Sequence, residues 1–199
     1  MDESVDKLYV CGKAGLGIVG LPGAVLEPIR QMQASATEKD LIPQLAEALK
    51  AHYGRNFGLR PFVVKEQVVD LRPQATIIYA DRRPGAAGLC VMPSELNFSP
   101  IFMPQRYVMA GISNYALYLF QRLWRDTFSV NDALGLGAFL ITETSKLDPK
   151  VGPVPDLMVL GADGAQALDR SRIDEIIKVN DQRMAKFASS FQEPTNASP

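Results

Sequence analysis

Residues 15–20 read GLGIVG and form the most suggestive chemical motif in the chain. The pattern G-x-G-x-x-G binds the pyrophosphate of a dinucleotide when its glycines form the turn between a strand and a helix. Here Leu16, Ile18 and Val19 favour a strand for the motif itself, and Pro22-Gly23 separates it from any following helix. We therefore predict a closely packed strand of small residues and no dinucleotide cofactor.

The residue patterns that support nucleophilic catalysis are incomplete. His52 is the one histidine of the chain, and it falls on the apolar stripe of a predicted helix. A packed histidine is a simpler interpretation of that position than a catalytic base. Ser4 and Lys7 match the S-x-x-K spacing, but the residues after them favour a strand instead of the helix that positions such a serine. The carboxylates show no paired spacing that would single out an acid and a base.

Cysteine usage and charge exclude several further classes. Cys11 and Cys90 are far apart and have no histidine nearby at metal-ligand spacing, so we predict free buried thiols and no metal site. Lysine and arginine number 21 against 22 aspartate and glutamate residues, which argues against a nucleic-acid partner. No apolar run reaches membrane-spanning length and the first residues are acidic and polar. We therefore expect a cytoplasmic protein without a signal peptide or a membrane contact.

Periodicity predicts the elements that would position these residues. Residues 7–21 form two apolar runs around a glycine-bounded turn, which is typical of a hairpin. A helix to about residue 33 follows, and Asp40 can cap a second one. The apolar stripe of that second helix is Leu41, Leu45, Ala48, Leu49 and His52. Further strands are predicted at residues 62–71, 75–80, 88–92 and 106–111.

The second half of the chain is predicted to be mainly helical. Ser113 can cap a helix that reaches Trp124, and Ser129 begins another helix in which Asp132 completes a capping box. A hairpin around the turn GADG follows, and then a final amphipathic helix over residues 171–187. Gly135 and Gly137 allow close approach of another backbone, either from a second subunit or from a neighbouring element of the same chain.

The order of the elements indicates an α+β fold. Helices occur in pairs between groups of strands, whereas a doubly wound parallel sheet would alternate them singly. The chain has 199 residues and is 47% hydrophobic, which suffices for one core. We predict one domain over residues 1–187 and a polar, disordered C-terminal tail over residues 188–199.

Three stretches resemble proteasome core-particle subunits and their bacterial proteasome-like relatives, which are N-terminal nucleophile hydrolases. They are SVDKLYVCGKAGLGIVGL (4–21), AGISNYALYLFQRLW (110–124) and DALGLGAFLITETSKLDPKVGPVPDLMVL (132–160). The resemblance covers residues 4–180. It implies a four-layer αββα sandwich, in which two antiparallel sheets lie between helix layers, with the first hairpin missing from this chain.

The resemblance also implies site residues. The family nucleophile is an N-terminal threonine tuned by a lysine, and Lys7 falls on that lysine. Asp148 matches the family aspartate before Ser-Gly-Gly, but Val151 and Gly152-Pro153 replace the serine and the glycine pair. Gly111 replaces the supporting serine of Gly-Ser-Gly. These departures, with no terminal threonine in the sequence, imply a chain without peptidase activity.

We therefore expect a non-catalytic proteasome-type subunit, linked to intracellular protein degradation, in a ring of identical or related subunits. Two alternatives stay open. One is an active threonine peptidase whose true start lies upstream, and the other is a free-standing scaffold or binding protein that reuses the fold without proteolysis.

Overall fold

The computed structural model describes residues 7–35, 41–58, 62–64, 67–69, 72–82, 88–104, 107–111 and 114–191. The predicted caps Asp40 and Ser113 lie outside these ranges. The strands are β1 (Leu8–Cys11), β2 (Ala14–Gly20), β3 (Phe62–Val64), β4 (Gln67–Val69), β5 (Ala75–Ala80), β6 (Leu89–Pro93), β7 (Ile101–Phe102), β8 (Met158–Gly161) and β9 (Gly164–Ala167). The α-helices are α1 (Leu26–Ser35), α2 (Leu41–Asn56), α3 (Asn114–Leu123), α4 (Val130–Leu147) and α5 (Arg170–Ser190).

The chain divides into two compact units. The first comprises the described residues up to Gly111 together with Met158–Ala167, and the second comprises the described parts of 112–157 and 168–199. The predicted single domain over residues 1–187 stays a prediction. None of the helices in the described part of the chain combines the length and the apolar character needed to cross a bilayer.

The first unit is built on an antiparallel sheet with the strand order β1-β2-β5-β6-β7. The hairpin predicted over residues 7–21 is confirmed, because β1 pairs with β2 from Leu8↔Gly17 to Cys11↔Ala14. Its turn passes through Gly12 at a φ of 59°, a left-handed conformation that favours glycine. The GLGIVG motif therefore lies inside strand β2, and β5 pairs with it along its other edge.

One face of this sheet forms the main core with α1 and α2. Successive strand residues point to opposite faces, so Leu16 and Ile18 of β2 share a face with Ile77 and Tyr79 of β5. These residues are buried in one cluster with apolar side chains of the two helices, among them Ile29, Leu45, Leu49 and Tyr53. The predicted stripe of the second helix is thereby confirmed in part, since Leu41, Leu45, Leu49 and His52 are buried.

The β8–β9 hairpin packs on the opposite face of the same sheet. A Cβ atom on Gly15 would lie 2.7 Å from Met158 Sδ and 3.3 Å from Leu160 Cδ1, so a larger residue there would require the hairpin side chains to shift. The Ala165 N–H also donates to the Lys13 carbonyl at 3.0 Å. Helices, the five-stranded sheet and this short hairpin thus form successive layers of the first unit.

The second unit is helical. Its α4 begins with the predicted capping box: the Asp132 N–H donates to Ser129 Oγ at 3.2 Å, and the Ser129 N–H donates to Asp132 Oδ2 at 3.1 Å. Ala138 of α4, Leu157 and Ile173 of α5 form a small buried cluster. A hydrogen bond of 2.8 Å from Asn180 Nδ2 to the Gly135 carbonyl joins α5 to α4.

Two strand predictions differ from the structure. The strand predicted over 106–111 is wrong for the described residues 107–111, which form no strand, and β7 pairs with β6 earlier, at Ile101 and Phe102. The strand predicted over 62–71 consists of two short strands, β3 and β4, paired with each other. The architecture is α+β, and a four-layer sandwich stays a prediction.

Candidate functional site

Lys7 lies at the start of the first hairpin and its side chain is exposed. Its carbonyl accepts a hydrogen bond of 2.8 Å from the Ile18 N–H, which extends the β1–β2 ladder by one residue. The alternation of β1 places Lys7 on the same side of the sheet as Tyr9 and Cys11. This is the side that α1 and α2 cover farther along the sheet.

Gly111, which the resemblance aligns with a serine, has a backbone conformation that favours glycine. Its φ is +95°, and a Cβ atom there would lie 2.9 Å from Val19 Cγ1. Val19 follows Ile18 in β2 and therefore lies on the face opposite to Lys7. The structure thus brings Gly111 to Val19, not to Lys7.

Asp148 ends α4 and organises the turn that follows it. Its N–H donates to the Thr144 carbonyl at 2.9 Å, and its Oδ1 accepts from the Lys150 N–H at 2.9 Å. Its carbonyl accepts from the Val151 N–H at 3.0 Å. Asp148 belongs to the second unit and Lys7 to the first, so each has a local structural environment of its own.

Three buried polar residues of the first unit, Tyr79, Asp81 and His52, have polar partners that the sequence did not predict. Tyr79 Oη donates to Asp81 Oδ2 at 2.8 Å, and both residues are buried. His52 Nδ1 lies 3.2 Å from Glu27 Oε2, across the α1–α2 contact. The i, i+2 spacing of Tyr79 and Asp81 on a strand was the one available signal for the first pair, because it places both side chains on one face.

The cysteines are free and buried, as predicted. Burial raises the pKa of the Cys11 thiol to about 11, and it raises the pKa of the Cys90 thiol to about 11 as well. A thiol of this kind has little thiolate at neutral pH and is a poor nucleophile. Within the described ranges, no three histidine, cysteine, aspartate or glutamate side chains are grouped in a way that could hold a metal ion.

The helices of the second unit expose apolar side chains. Tyr115, Tyr118 and Leu123 of α3 are exposed, and the Arg122 guanidinium lies over the Tyr118 ring at 6.0 Å. A Cβ atom on Gly135 would lie 3.8 Å from Asn180 Oδ1 and 3.9 Å from an Arg183 guanidinium nitrogen of the same chain, so Gly135 lies at the contact between α4 and α5. A Cβ on Gly137 would meet no atom within 4 Å.

No family model matches the chain, and no curated protein does. Solved structures do match. Anbu (ancestral beta-subunit) from Yersinia bercovieri aligns with a TM-score of 0.65 and 14% identity, over 98% of this chain and 88% of that chain. Anbu from Hyphomicrobium sp. strain MC1 aligns with a TM-score of 0.64 and 13% identity, over 98% and 87% of the two chains. A Gly-1 mutant of the Hyphomicrobium protein gives 0.63 and 14%, over 95% and 87%.

At these identities the likeness shows the fold alone, which is the proteasome-like fold of Anbu. The interpretation as a proteasome-type N-terminal nucleophile hydrolase that lacks its first hairpin is wrong in that form, because the matching structures are Anbu proteins. The physical reason lies in what the resembling stretches do. Gly15 lies beneath the Met158 side chain of β8, and the Gly135 carbonyl accepts the Asn180 hydrogen bond that joins α5 to α4. Such residues report how the layers pack and carry no information about a catalytic group.

Proposed function

We propose that this protein is an assembling subunit of the proteasome-like fold, and that it serves protein degradation in the cytoplasm through association instead of through peptide hydrolysis of its own. With this function we propose the complete four-layer αββα arrangement. Lys7 and Asp148 are vestigial in this proposal, and neither would bind substrate or a cofactor.

The exposed apolar surface of α3 carries the proposal. Tyr115, Tyr118 and Leu123 are 40%, 57% and 41% exposed. Tyrosine and arginine are enriched where protein surfaces meet, and Arg122 lies over one of these rings. Large apolar side chains at this exposure favour contact with another subunit, either a copy of this chain or a related one.

The surroundings of the family-matched residues favour a chain without hydrolytic activity. Asp148 Oδ1 is hydrogen-bonded to the main chain of its own turn, and Val151 has no hydroxyl that could support a nucleophile. A side chain at Gly111 would contact Val19. No arrangement of these residues supplies a nucleophile, a base and an oxyanion donor together.

Two measurements test this proposal. Light scattering at micromolar concentration is expected to give a mass well above the 21.8 kDa of one chain. A folded monomer would instead favour the free-standing scaffold. Fluorogenic peptides are expected to show no turnover with the wild type, with Lys7→Ala or with Lys13→Ala, a matched lysine variant in the same hairpin. Turnover that Lys7→Ala alone abolishes would contradict the proposal and favour the threonine peptidase.

A further inference from the structure

The C-terminal part of α5 is exposed on every side. Each residue from Asp181 to Phe191 is exposed, over about three helical turns. The earlier part of the same helix packs in the second unit through Ile173, which is buried, and through Ile177 and Asn180, which are half-buried. The helix therefore continues well beyond the contact that stabilises it.

A row of residues that is apolar except at Asn180 runs through both parts of α5. Ile173, Ile177, Asn180, Met184, Phe187 and Phe191 follow each other at spacings of four and three residues in turn. This is the a/d repeat by which one helix packs along another. We call the exposed end of this row, Met184, Phe187 and Phe191, the C-terminal seam.

The C-terminal seam leaves large apolar side chains in water. Met184, Phe187 and Phe191 are 39%, 59% and 74% exposed, and the two phenyl rings contact each other edge to face with centroids 5.0 Å apart. A helical segment this short is marginal in water without packing of its apolar side. A second helix along the seam would supply that packing.

We propose that the C-terminal seam binds the same seam of a second copy of this chain, as an antiparallel helix pair. This inference rests on the proposed function of an assembling subunit and names one of its contacts. Met184 of one copy would lie opposite Phe187 of the other copy. Antiparallel pairing also keeps the two α4 helices, which α5 contacts through Asn180, at opposite ends of the pair.

The residues next to the seam in the sequence and the charges beside it favour a second copy as the occupant. Residues 192–199 read QEPTNASP and contain no large apolar side chain with which to cover the seam. In the antiparallel pair, Asp181 would flank Ala188 and Arg183 would flank Ser190, so no like charges oppose each other. A net charge of −1 adds little repulsion between two copies.

The seam is small for an interface between two protein chains. Phenylalanine and methionine side chains at this exposure would remove roughly 300–400 Å² of apolar surface from water on each copy. Two copies together fall below the ~1,200 Å² of a standard interface. The seam therefore makes a weak, concentration-dependent contact, which strengthens an assembly that other surfaces also hold together.

Disulfide trapping tests both the contact and its direction. The two native cysteines are buried and have pKa values raised to about 11, so they are not expected to form disulfides while the introduced thiols react. Two full-length variants are prepared, Met184→Cys and Phe187→Cys, and one of them carries a tag that makes it distinguishable by mass. They are mixed at about 100 µM, a concentration suited to weak contacts, and the mixture is mildly oxidised. The mixed disulfide is expected to exceed both same-variant disulfides. Val179→Cys, at an exposed position off the seam, is the matched control and is expected to cross-link with neither partner.

Sedimentation velocity provides a second readout. Phe187→Glu keeps a helix-forming residue but places a charge in the seam, and it is expected to weaken this association about tenfold or more, as for a central interface residue. Val179→Glu should leave the association unchanged. The proposal is overturned if Phe187→Glu behaves like Val179→Glu, if the same-variant disulfides dominate as in a parallel pair, or if the seam binds anionic vesicles while the chain stays monomeric.

These outcomes separate the inference from the proposed function. If the wild type and Phe187→Glu assemble equally well, the seam contact is wrong and the proposal of an assembling subunit is unaffected. If the wild type forms only a dimer and Phe187→Glu is a monomer, the seam contact is confirmed and the proposal of a larger assembly is contradicted.

Discussion

In the first unit Gly111 lies beside Val19, so close that a Cβ atom added to Gly111 would lie 2.9 Å from Val19 Cγ1. Gly111 also has a φ of +95°, which L side chains rarely adopt. Two independent effects therefore oppose a side chain at the position where the resembled family has a serine. The relationship leads directly to a prediction about restoring that serine.

Gly111→Ser is expected to destabilise the fold by more than the roughly 1–2 kcal/mol of a left-handed non-glycine residue, because the contact with Val19 adds to the backbone cost. Gly88→Ser is the matched control, since Gly88 has a φ of +74° and no atom within 4 Å of an added Cβ. Urea unfolding curves measure both variants. Adding Val19→Ala should recover the part of the loss that is due to the contact, and a Gly111→Ser variant as stable as wild type would contradict this account.

Gly135→Ala is expected to stabilise the protein, in contrast to Gly111→Ser. Its Cβ would lie 3.8 Å from Asn180 Oδ1, an ordinary contact distance, so alanine fits without moving α5. Replacing glycine inside a helix should then stabilise α4 by up to about 1 kcal/mol. Thermal unfolding measures the gain. Gly164→Ala is the contrasting variant, because its φ is +119° and its Cβ would lie 3.0 Å from Lys13 Cα. It should lower the melting temperature.

The two thiols are expected to resist alkylation in the native protein. At pH 8 a thiol of pKa about 11 has roughly a hundredfold less thiolate than one whose pKa is the ordinary 9.0, and burial also excludes the reagent. Mass spectrometry after iodoacetamide treatment should find neither cysteine modified until denaturant is added. Labelling of either cysteine at the rate of a free thiol would show that the sheet opens there.

Acid should destabilise the start of α4. The Ser129 side chain, and then its N–H, hold the pKa of Asp132 below its ordinary value by hydrogen bonding to the carboxylate. A pKa lowered by folding means stability that is present above the unfolded pKa and lost as the pH falls through the folded one. Ser129→Ala should therefore unfold more easily at neutral pH and lose less further stability between about pH 4 and pH 2 than wild type does.

The control for this prediction is Ser190→Ala, because the Ser190 hydroxyl donates to the main-chain carbonyl of Phe187. Circular dichroism during acid titration compares the variants. Equal acid sensitivity in the wild type and in Ser129→Ala would show that the capping box does not contribute.

The sequence specified local structure better than the location of a site. Alternation and glycine spacing predicted the β1–β2 hairpin, and Ser129 and Asp132 predicted the start of α4, because these signals act over a few residues. The strand at Ile101 and Phe102 was missed, because two residues that pair with β6 leave no periodic pattern. Lys7 and Gly111 were each matched to a family residue by sequence alone. In the structure Gly111 lies beside Val19, and Val19 lies on the face of the sheet opposite to Lys7. Only the strand pairing reveals this separation.

The contact between Gly15 and Met158 has a consequence for synthesis. These residues lie near opposite ends of the chain, so the hairpin that covers one face of the main sheet is translated only after α4. Until then the nascent chain exposes that face, and closing it requires a long loop with a corresponding entropic cost. Completion of the first unit must therefore wait until β9 has been translated, and until then a sheet surface is exposed to chaperones and to premature aggregation.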